Sequence, residues 1–287
     1  MPEKIRHLDY YVLKTLESLK SWNYPKLEIK RDDTNLFLGS GNAGCVCELF
    51  VERFNGIALN VSEYKQFFKR VIRKEFASIN IISASGGKDA VNMAFFLKER
   101  GLEANLITCN QTPPAQKFIK KENIFVFPSF VEPPTYNVST YSSMIYWLFK
   151  EDIEDIRDFI KKIKVPNLRK YQYIFFLSSD KYKVIAEMAS RKVAETLEGI
   201  GSNGDGFSNG THGMLRQPNK NRLIFCLHQK YDLGENIYQL NFDSYLGLML
   251  GTYYIIGKNQ TDKDTENLLR DYKEISKKQG WEFNKIW

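Results

Sequence analysis

Apolar and polar positions along the first half of the chain predict helices and short buried strands in alternation. Residues 4–20 carry apolar side chains three or four positions apart, the spacing of an amphipathic helix. Short apolar runs that end at small or polar residues then predict strands, and the longer amphipathic segments between them predict helices. The predicted strands are 34–38, 57–61, 78–83, 104–108 and 124–127, and the predicted helices are 43–54, 62–74, 89–100 and one that begins near 139.

The second half of the chain repeats this order in a shorter form. Residues 151–164 are charged and helical, and the segment 151–170 connects the two halves. The pattern then predicts a strand over 171–177, a helix over 182–197, a glycine-rich polar loop over 199–213, a strand over 221–227, and two closing helices over 242–256 and 265–278.

Strands that alternate with helices are typical of parallel sheets whose strands are joined by crossover helices. We therefore expect an α/β protein with two sheet-containing parts, residues 1–150 and 171–287, joined by residues 151–170. The loops that follow the strands of a parallel sheet meet at its carboxyl edge, where open α/β sheets bind ligands. Polar side chains in these loops are the candidate functional residues.

Composition narrows the class of protein. The chain has 287 residues, of which 43% are hydrophobic and 26% charged, which excludes a disordered chain, a collagen and a coiled coil. No apolar run reaches the ~20 residues that span a bilayer, and no apolar signal core follows the first residues. Four cysteines and three histidines offer neither a disulfide framework nor a common zinc spacing. We expect a reduced, cytoplasmic protein with no metal and no membrane contact.

The 41 basic and 34 acidic residues give a net charge of +7. This excess leaves three interpretations open: a solvated basic surface, attraction of small phosphorylated ligands, or nucleic-acid binding. The basic runs at 117–121, 161–164 and 277–278 are short, and their apolar neighbours follow helical spacing. Such runs are typical of ordinary helix faces, so nucleic acid is not expected as a partner.

Residues 39–44 have the pattern G-x-G-x-x-G between a predicted strand and a predicted helix, the setting of a dinucleotide-binding turn. Glycines let the backbone approach a ligand closely, and the N-terminus of the following helix attracts anions. A nicotinamide cofactor also needs an acidic residue about 20 positions on, at the end of the second strand. That strand ends at Asn60 and Val61. The motif leaves open a tight turn without a ligand and a dinucleotide site that lacks this acidic residue.

A second loop follows the third predicted strand and opens a helix, and its small and polar residues are Ser83, Ser85, Gly86, Gly87 and Lys88. Hydroxyls, backbone N–H groups, a helix N-terminus and a cation together suit a phosphate. The Walker A pattern is missing, so ATP is disfavoured. The alternative is a serine and glycine loop with Lys88 in solvent. Ser139 and Thr140 would face the same crevice from a later helix, or would only cap that helix.

Acidic residues and one histidine of the second half could carry acid–base chemistry. Glu187, Glu195 and Glu198 have the spacing of one side of the predicted helix 182–197, and His212 lies in the glycine-rich segment after it. A carboxylate and an imidazole together can move protons near pH 7. The alternative for each glutamate is a solvated position on a helix face.

Four short motifs follow the order found in the sugar isomerase (SIS) domain family, which the chain resembles over about residues 34–230. Residues 82–86 resemble the S-x-S-G-x-T phosphosugar loop, and residues 138–140 resemble the V-x-S-T segment of the isomerase half of glucosamine-6-phosphate synthase. Residues 176–182 and 191–195 are similar to the second-half strand, loop and K-x-x-E helix of the family. Residues 211–213 are similar to its K-H-G-P histidine loop.

The resemblance implies two SIS subdomains, each a parallel sheet between helices in three α/β/α layers, and an aldose–ketose isomerase of sugar phosphates. It implies that Glu195, with Glu198 in reserve, moves a proton between C1 and C2. It further implies that His212, lent by the second subunit of a homodimer, opens the sugar ring. Neither step needs a metal or a cofactor. The remaining implied contacts are Ser83 and Ser85 with the phosphate, Ser139 and Thr140 with phosphate or sugar, and Gly39, Ser40, Gly41 and Asn42 with the sugar.

Three departures from the family pattern keep other hypotheses open. Lys88 stands where the family loop has threonine, Met214 replaces the proline after His-Gly, and residues 133–136 lack the Pro-Arg pair of the phosphoglucose/phosphomannose isomerase branch. The first two favour a phosphosugar sensor that binds its ligand without turnover. An NAD(P)-dependent oxidoreductase rests only on residues 39–44. The sequence does not identify the sugar.

Overall fold

The structure is a computed structural model that describes residues 5–70, 76–213, 220–231 and 236–279. The chain forms two compact units, which we name after the sheets they contain. The sheet A unit comprises Ser21–Val131, Ser143–Phe149 and Ile275–Trp287. The sheet B unit comprises Met1–Lys20, Glu132–Ser142 and Lys150–Glu274.

Sheet A has five parallel strands in the order β2-β1-β3-β4-β5. They are β1 Asn35–Gly39, β2 Gly56–Asn60, β3 Ser78–Ile82, β4 Asn105–Thr108 and β5 Ile124–Val126. The crossover helices are α2 Asn42–Arg53, α3 Tyr64–Arg70 and α4 Lys88–Lys98. Apolar side chains of β1, β3 and β4 pack against the buried face of α4, where Met93 and Leu97 lie. The elements predicted for this half are confirmed within a few residues at their ends, except that residues 71–74 of the helix predicted over 62–74 lie outside the described residues.

Sheet B has four parallel strands in the order β7-β6-β8-β9. They are β6 Tyr173–Ser178, β7 Gly201–Gly206, β8 Arg222–Leu227 and β9 Ile237–Leu240. Its helices are α1 Leu8–Ser18, α6 Ile153–Lys161, α7 Lys183–Thr196, α8 Phe207–Gly213 and α9 Tyr245–Lys258. Two further helices contribute residues to both units, α5 Val138–Phe149 and α10 Asp262–Gln279. The predicted fold class, two parallel sheets flanked by helices, is confirmed.

The prediction of a glycine-rich loop over residues 199–213 is wrong. This segment forms strand β7 and helix α8. Strand β7 has the sequence GSNGDG, which carries no apolar signal, and one of its glycines, Gly204, lies against the backbone of α7. A Cβ on Gly204 would lie 2.1 Å from the carbonyl oxygen of Ala186 in α7. Strand β9 was not predicted from the sequence pattern.

The division of the chain into units also differs from the predicted boundaries. Residues 5–20 belong to the sheet B unit because α1 packs on α9 so closely that a Cβ on Gly257 would lie 2.1 Å from the backbone nitrogen of Asp9. Helix α6, predicted as part of a connecting segment, also packs on α9 in this unit. Among the described residues, no helix is both long and apolar enough to cross a membrane.

Candidate functional site

In sheet A the strand order reverses between β1 and β3, because the chain passes from β1 to β2 on one side and returns to β3 on the other. Open α/β sheets bind ligands outside the carboxyl ends of the strands at such a point. The loops there are residues 39–42, after β1, and residues 83–88, after β3. The structure thus brings together the two loops that the sequence analysis predicts as sugar and phosphate contacts.

A hydrogen bond joins the glycine loop to the helix that follows the serine loop. The hydroxyl of Ser40 donates to Oδ2 of Asp89 in the first turn of α4, over 2.7 Å. Asp89 was not singled out in the sequence, although it directly follows Lys88. The bond fixes the spacing of the two loops at the reversal point.

The serine loop is held by its own hydroxyls and by the end of β4. Ser83 Oγ accepts the N–H of Gly86 and Ser85 Oγ accepts the N–H of Gly87, each over 3.2 Å. The side chain of Asn110 donates to the carbonyl of Ser85 over 3.0 Å. Asn110 was not predicted from the sequence, where its signal is a polar pair, Thr108 and Asn110, at the end of a buried strand.

The N-terminus of α4 follows this loop, and Lys88 is the first, exposed residue of the helix. The positive end of the helix dipole and a lysine therefore lie next to the serine hydroxyls. This setting suits an anion, although Asp89 adds a carboxylate on the same turn. Phosphate binding by Ser83, Ser85, Gly86, Gly87 and Lys88 remains a prediction.

In the sheet B unit, α7 carries an ion pair between a buried lysine and a half-buried carboxylate. Lys192 Nζ lies 2.7 Å from Oε2 of Glu195, and the side chains are 0% and 35% exposed. Lys192 also donates to the carbonyl of Thr135 and lies 5.3 Å from the centre of the Tyr253 ring. The carboxylate of Glu195 thus reaches solvent, and the buried ammonium group of Lys192 fixes its orientation.

A second carboxyl group, Glu132, occupies the N-terminus of α5. Its Oε1 accepts the N–H of Ser139 over 2.9 Å, and its Oε2 has no hydrogen-bond partner among the described residues. Burial raises the pKa of Glu132 to about 7, against the opposing effects of hydrogen bonds from Ser139 and Val138 and of the Lys192 charge. Glu132 was not predicted as a functional residue.

Ser139 and Thr140 are both buried in the chain as described. The N–H of Ser139 is engaged by Glu132, so an internal carboxylate holds the position at the start of α5 that the resemblance assigns to a ligand anion. Their contact with a phosphate or a sugar remains a prediction that the burial does not favour.

The other predicted acid–base residues lie apart from the Lys192 and Glu195 pair. Glu198 follows the end of α7, and its side chain contacts Asn267 over 2.6 Å. The three glutamates therefore do not share one helix face as their spacing predicted, because α7 ends at Thr196. His212 falls within the short helix α8 instead of a loop, and its side chain, like the whole of Met214, lies outside the described residues.

No group of three His, Cys, Asp or Glu side chains suited to a metal ion occurs within residues 5–70, 76–213, 220–231 and 236–279. What these side chains offer is acid–base chemistry at Glu195 and anion binding at the loop of residues 83–88.

Comparisons with known proteins support the fold. No protein-family model and no curated protein matches the chain. Among solved structures, glucosamine-6-phosphate deaminase from Thermotoga maritima is 14% identical with a TM-score of 0.58, covering 91% of each chain. Tagatose-6-phosphate ketose/aldose isomerase from Escherichia coli is 13% identical with a TM-score of 0.58, covering 88% of this chain and 87% of the other. The C-terminal domain of glucosamine-fructose-6-phosphate aminotransferase from Francisella tularensis is 11% identical with a TM-score of 0.55, covering 93% and 98%.

At this level of identity the likeness establishes a shared fold over most of each chain. The resemblance to the sugar isomerase domain family, drawn from four short motifs, is confirmed at the level of the fold.

Proposed function

We propose that this protein binds a phosphorylated sugar and interconverts its aldose and ketose forms by moving a proton between C1 and C2. The fold that it shares with sugar-phosphate enzymes supports the substrate class. The observation that carries the reaction type is the Lys192 and Glu195 pair, since a solvent-reaching carboxylate held by a buried cation is suited to act as a positioned base.

In the proposed reaction, Glu195 removes the proton from the carbon next to the carbonyl and returns it to the neighbouring carbon, through a cis-enediol(ate). A base positioned in this way contributes ~10² to 10⁴-fold to the rate. His212 would open the sugar ring before this step, and a second subunit of a cytoplasmic homodimer would supply it. The ion pair with Lys192 would keep the Glu195 carboxylate in one orientation while it removes the proton from the sugar carbon.

The phosphate would bind at the loop of residues 83–88, where Ser83, Ser85 and Lys88 lie at the N-terminus of α4. Residues 39–42 would line the sugar, because they border the same reversal point of sheet A. Binding energy from a phosphate remote from C1 and C2 can be used to position the reacting carbons.

The experiment that tests the proposal is a panel of hexose, hexosamine and pentose phosphates in deuterated water. We expect at least one member to be converted, with deuterium appearing at C2 of its aldose form, as read by NMR. The Glu195→Gln variant should bind the same compound without either change. Exchange at the wild-type rate in that variant would contradict the role of Glu195.

A phosphosugar sensor is the second candidate, and one observation favours it. Lys88 places a positive charge at the start of α4, where the family loop that the chain resembles has a threonine hydroxyl. Calorimetry with the same panel separates the candidates, because a sensor binds a member of the panel and converts none of them.

A further inference from the structure

Sheet B has its own reversal point, to which the proposed isomerase chemistry assigns no role. The chain passes from β6 to β7 on one side and returns to β8 on the other, so the order reverses between β6 and β8. Ser179 directly follows β6, and His228 directly follows β8. The general rule for open parallel sheets places a ligand site there.

Ser179 and His228 meet across this point. Ser179 Oγ lies 3.2 Å from Nδ1 of His228. On the other side of the ring, Nε2 of His228 lies 3.6 Å from Oδ1 of Asp243, an ion-pair distance. A hydroxyl, an imidazole and a carboxylate thus form a line, with the two ring nitrogens facing different partners.

The carboxylate of Asp243 influences which ring nitrogen of His228 carries the proton. Asp243 accepts from Lys181 Nζ over 3.0 Å and from the hydroxyl of Tyr182, and these bonds lower the pKa of the Asp243 carboxyl. An ionised carboxylate facing Nε2 favours the tautomer with its proton on Nε2. The lone pair of Nδ1 then accepts the hydrogen of the Ser179 hydroxyl, as a general base must.

Two structural features hold this arrangement in place. The backbone of His228 is left-handed, with φ at 70°, a conformation that costs free energy for a non-glycine residue and recurs at functional sites. The partly buried carboxylate of Glu151 accepts from Ser244 Oγ and from the N–H groups of Tyr245 and Leu246, each over 2.8 Å. It thereby anchors the turn that carries Asp243.

The backbone around Ser179 also suits a developing negative charge. Ser179 is the residue before a helical segment that begins with a tight turn, Asp180–Tyr182, and continues as α7. The first N–H groups of such a segment and the positive end of its dipole lie next to the serine. Groups of this kind stabilise the oxyanion of an acyl-transfer intermediate.

We propose that Ser179, His228 and Asp243 form a second, hydrolytic site that cleaves esters of small, uncharged carboxylic acids. Ser179 Oγ attacks the ester carbonyl carbon while Nδ1 of His228 takes the hydroxyl proton. The ester C–O bond then breaks, and the departing alcohol oxygen takes that proton. A water molecule, deprotonated by His228, attacks the acyl-serine, releases the carboxylic acid and leaves a proton on Ser179.

The expected substrate class follows from the surroundings of the serine. The exposed carboxylate of Asp180 directly follows Ser179 and disfavours a negatively charged acyl group, whereas the charge of Asp243 is paired with Lys181. The side chain of His228 is 23% exposed, so the site is open enough for a small acyl group to reach Ser179. In the proposed site the Ser179 hydroxyl faces the imidazole of His228, which can take up the hydroxyl proton. The hydroxyl of Ser40, by contrast, bonds to the carboxylate of Asp89.

The test uses a fluorophosphonate probe on the full chain, because such probes phosphonylate an activated serine with loss of fluoride. We expect one label per chain, placed on Ser179 by peptide mass spectrometry, and none in Ser179→Ala. His228→Asn should slow labelling by ~100-fold or more, since the base is gone. Asparagine tolerates a left-handed backbone, so this variant is expected to keep its fold, as thermal unfolding checks.

Ser208→Ala is the matched control, because Ser208 bonds to the neighbouring Asp180 and has no place in the relay. It should label at the wild-type rate. Absence of label on Ser179, or equal labelling rates in wild type and His228→Asn, would overturn the proposal. The contacts among the three side chains would then be structural only. No sugar phosphate enters the experiment, so its result is independent of the proposed isomerase activity.

Discussion

Lys192 Nζ lies 2.7 Å from Oε2 of Glu195, one turn further along α7, and the two side chains differ sharply in exposure. The lysine is fully buried and also donates to the carbonyl of Thr135, whereas about a third of the glutamate side chain reaches solvent. A buried charge such as that of Lys192 is costly unless it is paired. The pairing in turn fixes the direction of the Glu195 carboxylate, as the proposed base requires.

Replacing Glu195 by glutamine keeps the size of the side chain and removes its basic oxygen. We expect the Glu195→Gln variant to lose ~10² to 10⁴-fold in the conversion and C2 exchange of the active sugar phosphate, with binding changed much less. Turnover and exchange are measured by NMR, and binding by calorimetry.

Glu187→Gln is the control for this substitution, because Glu187 lies on the same helix and pairs with Arg191 over 3.1 Å, away from Lys192. It should convert the sugar at close to the wild-type rate. If Glu198→Gln abolished exchange and Glu195→Gln did not, the base would be the residue beyond the end of α7.

The buried position of Lys192 makes a prediction about stability. Lys192→Met keeps most of the apolar volume but leaves the carbonyl of Thr135 without its donor and Glu195 without its cation. We expect a loss of about 2–4 kcal/mol in the free energy of unfolding, below the full effect of breaking a buried pair because Glu195 is partly solvated.

Lys183→Met provides the comparison, since Lys183 is a partly exposed lysine of the same helix whose ion pair with Glu187 spans 3.6 Å. Urea denaturation should place it within about 0.5 kcal/mol of the wild type. Equal effects of the two substitutions would mean that the cation at position 192 does not support the cluster.

The sequence pattern was sufficient for sheet A and for most of sheet B because their strands are apolar and end at small or polar residues. It failed at β7, whose sequence GSNGDG has no apolar face. The requirement that makes it a strand is a close approach to α7, with the Ala186 carbonyl filling the space of a Cβ at Gly204. Such a requirement belongs to tertiary packing and leaves only glycines in the sequence.

The site was predictable where chemistry follows chain order and less so where it depends on packing. The loops after β1 and β3 could be paired in advance, because parallel strands bring their carboxyl ends to one edge. The Lys192 and Glu195 pair lies within one helix turn, but the burial of the lysine depends on Thr135 and Tyr253, which are far away in sequence. Glu132 looked like an ordinary loop residue because nothing in its neighbourhood signals that it is buried.

Glu132 makes the stability of the protein depend on pH. Its pKa is raised to about 7 by burial, from an ordinary value near 4.5. At pH values between these two pKa values the folded chain binds a proton that the unfolded chain has lost. The stabilisation of the folded state by this proton is therefore present at low pH and disappears as pH rises through 7. We expect the wild type to lose roughly 2–3 kcal/mol from this group between pH 5 and pH 8.

The Glu132→Gln variant isolates this effect, because an amide accepts a hydrogen bond from Ser139 but does not titrate. Denaturant unfolding at pH 5 and pH 8 should show a smaller fall in stability for the variant than for the wild type. Parallel behaviour of the two proteins would show that Glu132 is not protonated in the folded chain near neutral pH.

Lys88 is the cation expected to meet the phosphate in the proposed function. A single exposed charge contact with a doubly charged group is worth roughly 1–2 kcal/mol at low salt and less as salt screens it. Lys88→Met should therefore weaken sugar-phosphate binding about tenfold at low salt, with the difference shrinking at high salt. Lys98→Met, at the other end of α4, should bind as the wild type does, and equal affinities for all three would remove Lys88 from the site.

Two glycines with the same backbone conformation separate strain from steric clash in the serine loop. Gly86 and Gly101 have φ values of 61° and 68°, so alanine at either position adopts an unfavourable left-handed conformation, at a cost of about 1–2 kcal/mol. A Cβ on Gly86 would also lie 2.4 Å from Cβ of Pro113, whereas a Cβ on Gly101 would meet no atom within 4 Å. Since Pro113 is buried, relief of this clash requires the loop itself to move.

We expect Gly86→Ala to destabilise the protein clearly more than Gly101→Ala in urea denaturation, and to lose sugar-phosphate binding in calorimetry while Gly101→Ala keeps it. Equal unfolding free energies for the two variants would show that the loop shifts freely, and a loop that shifts freely would not hold Ser83 and Ser85 in place for a phosphate.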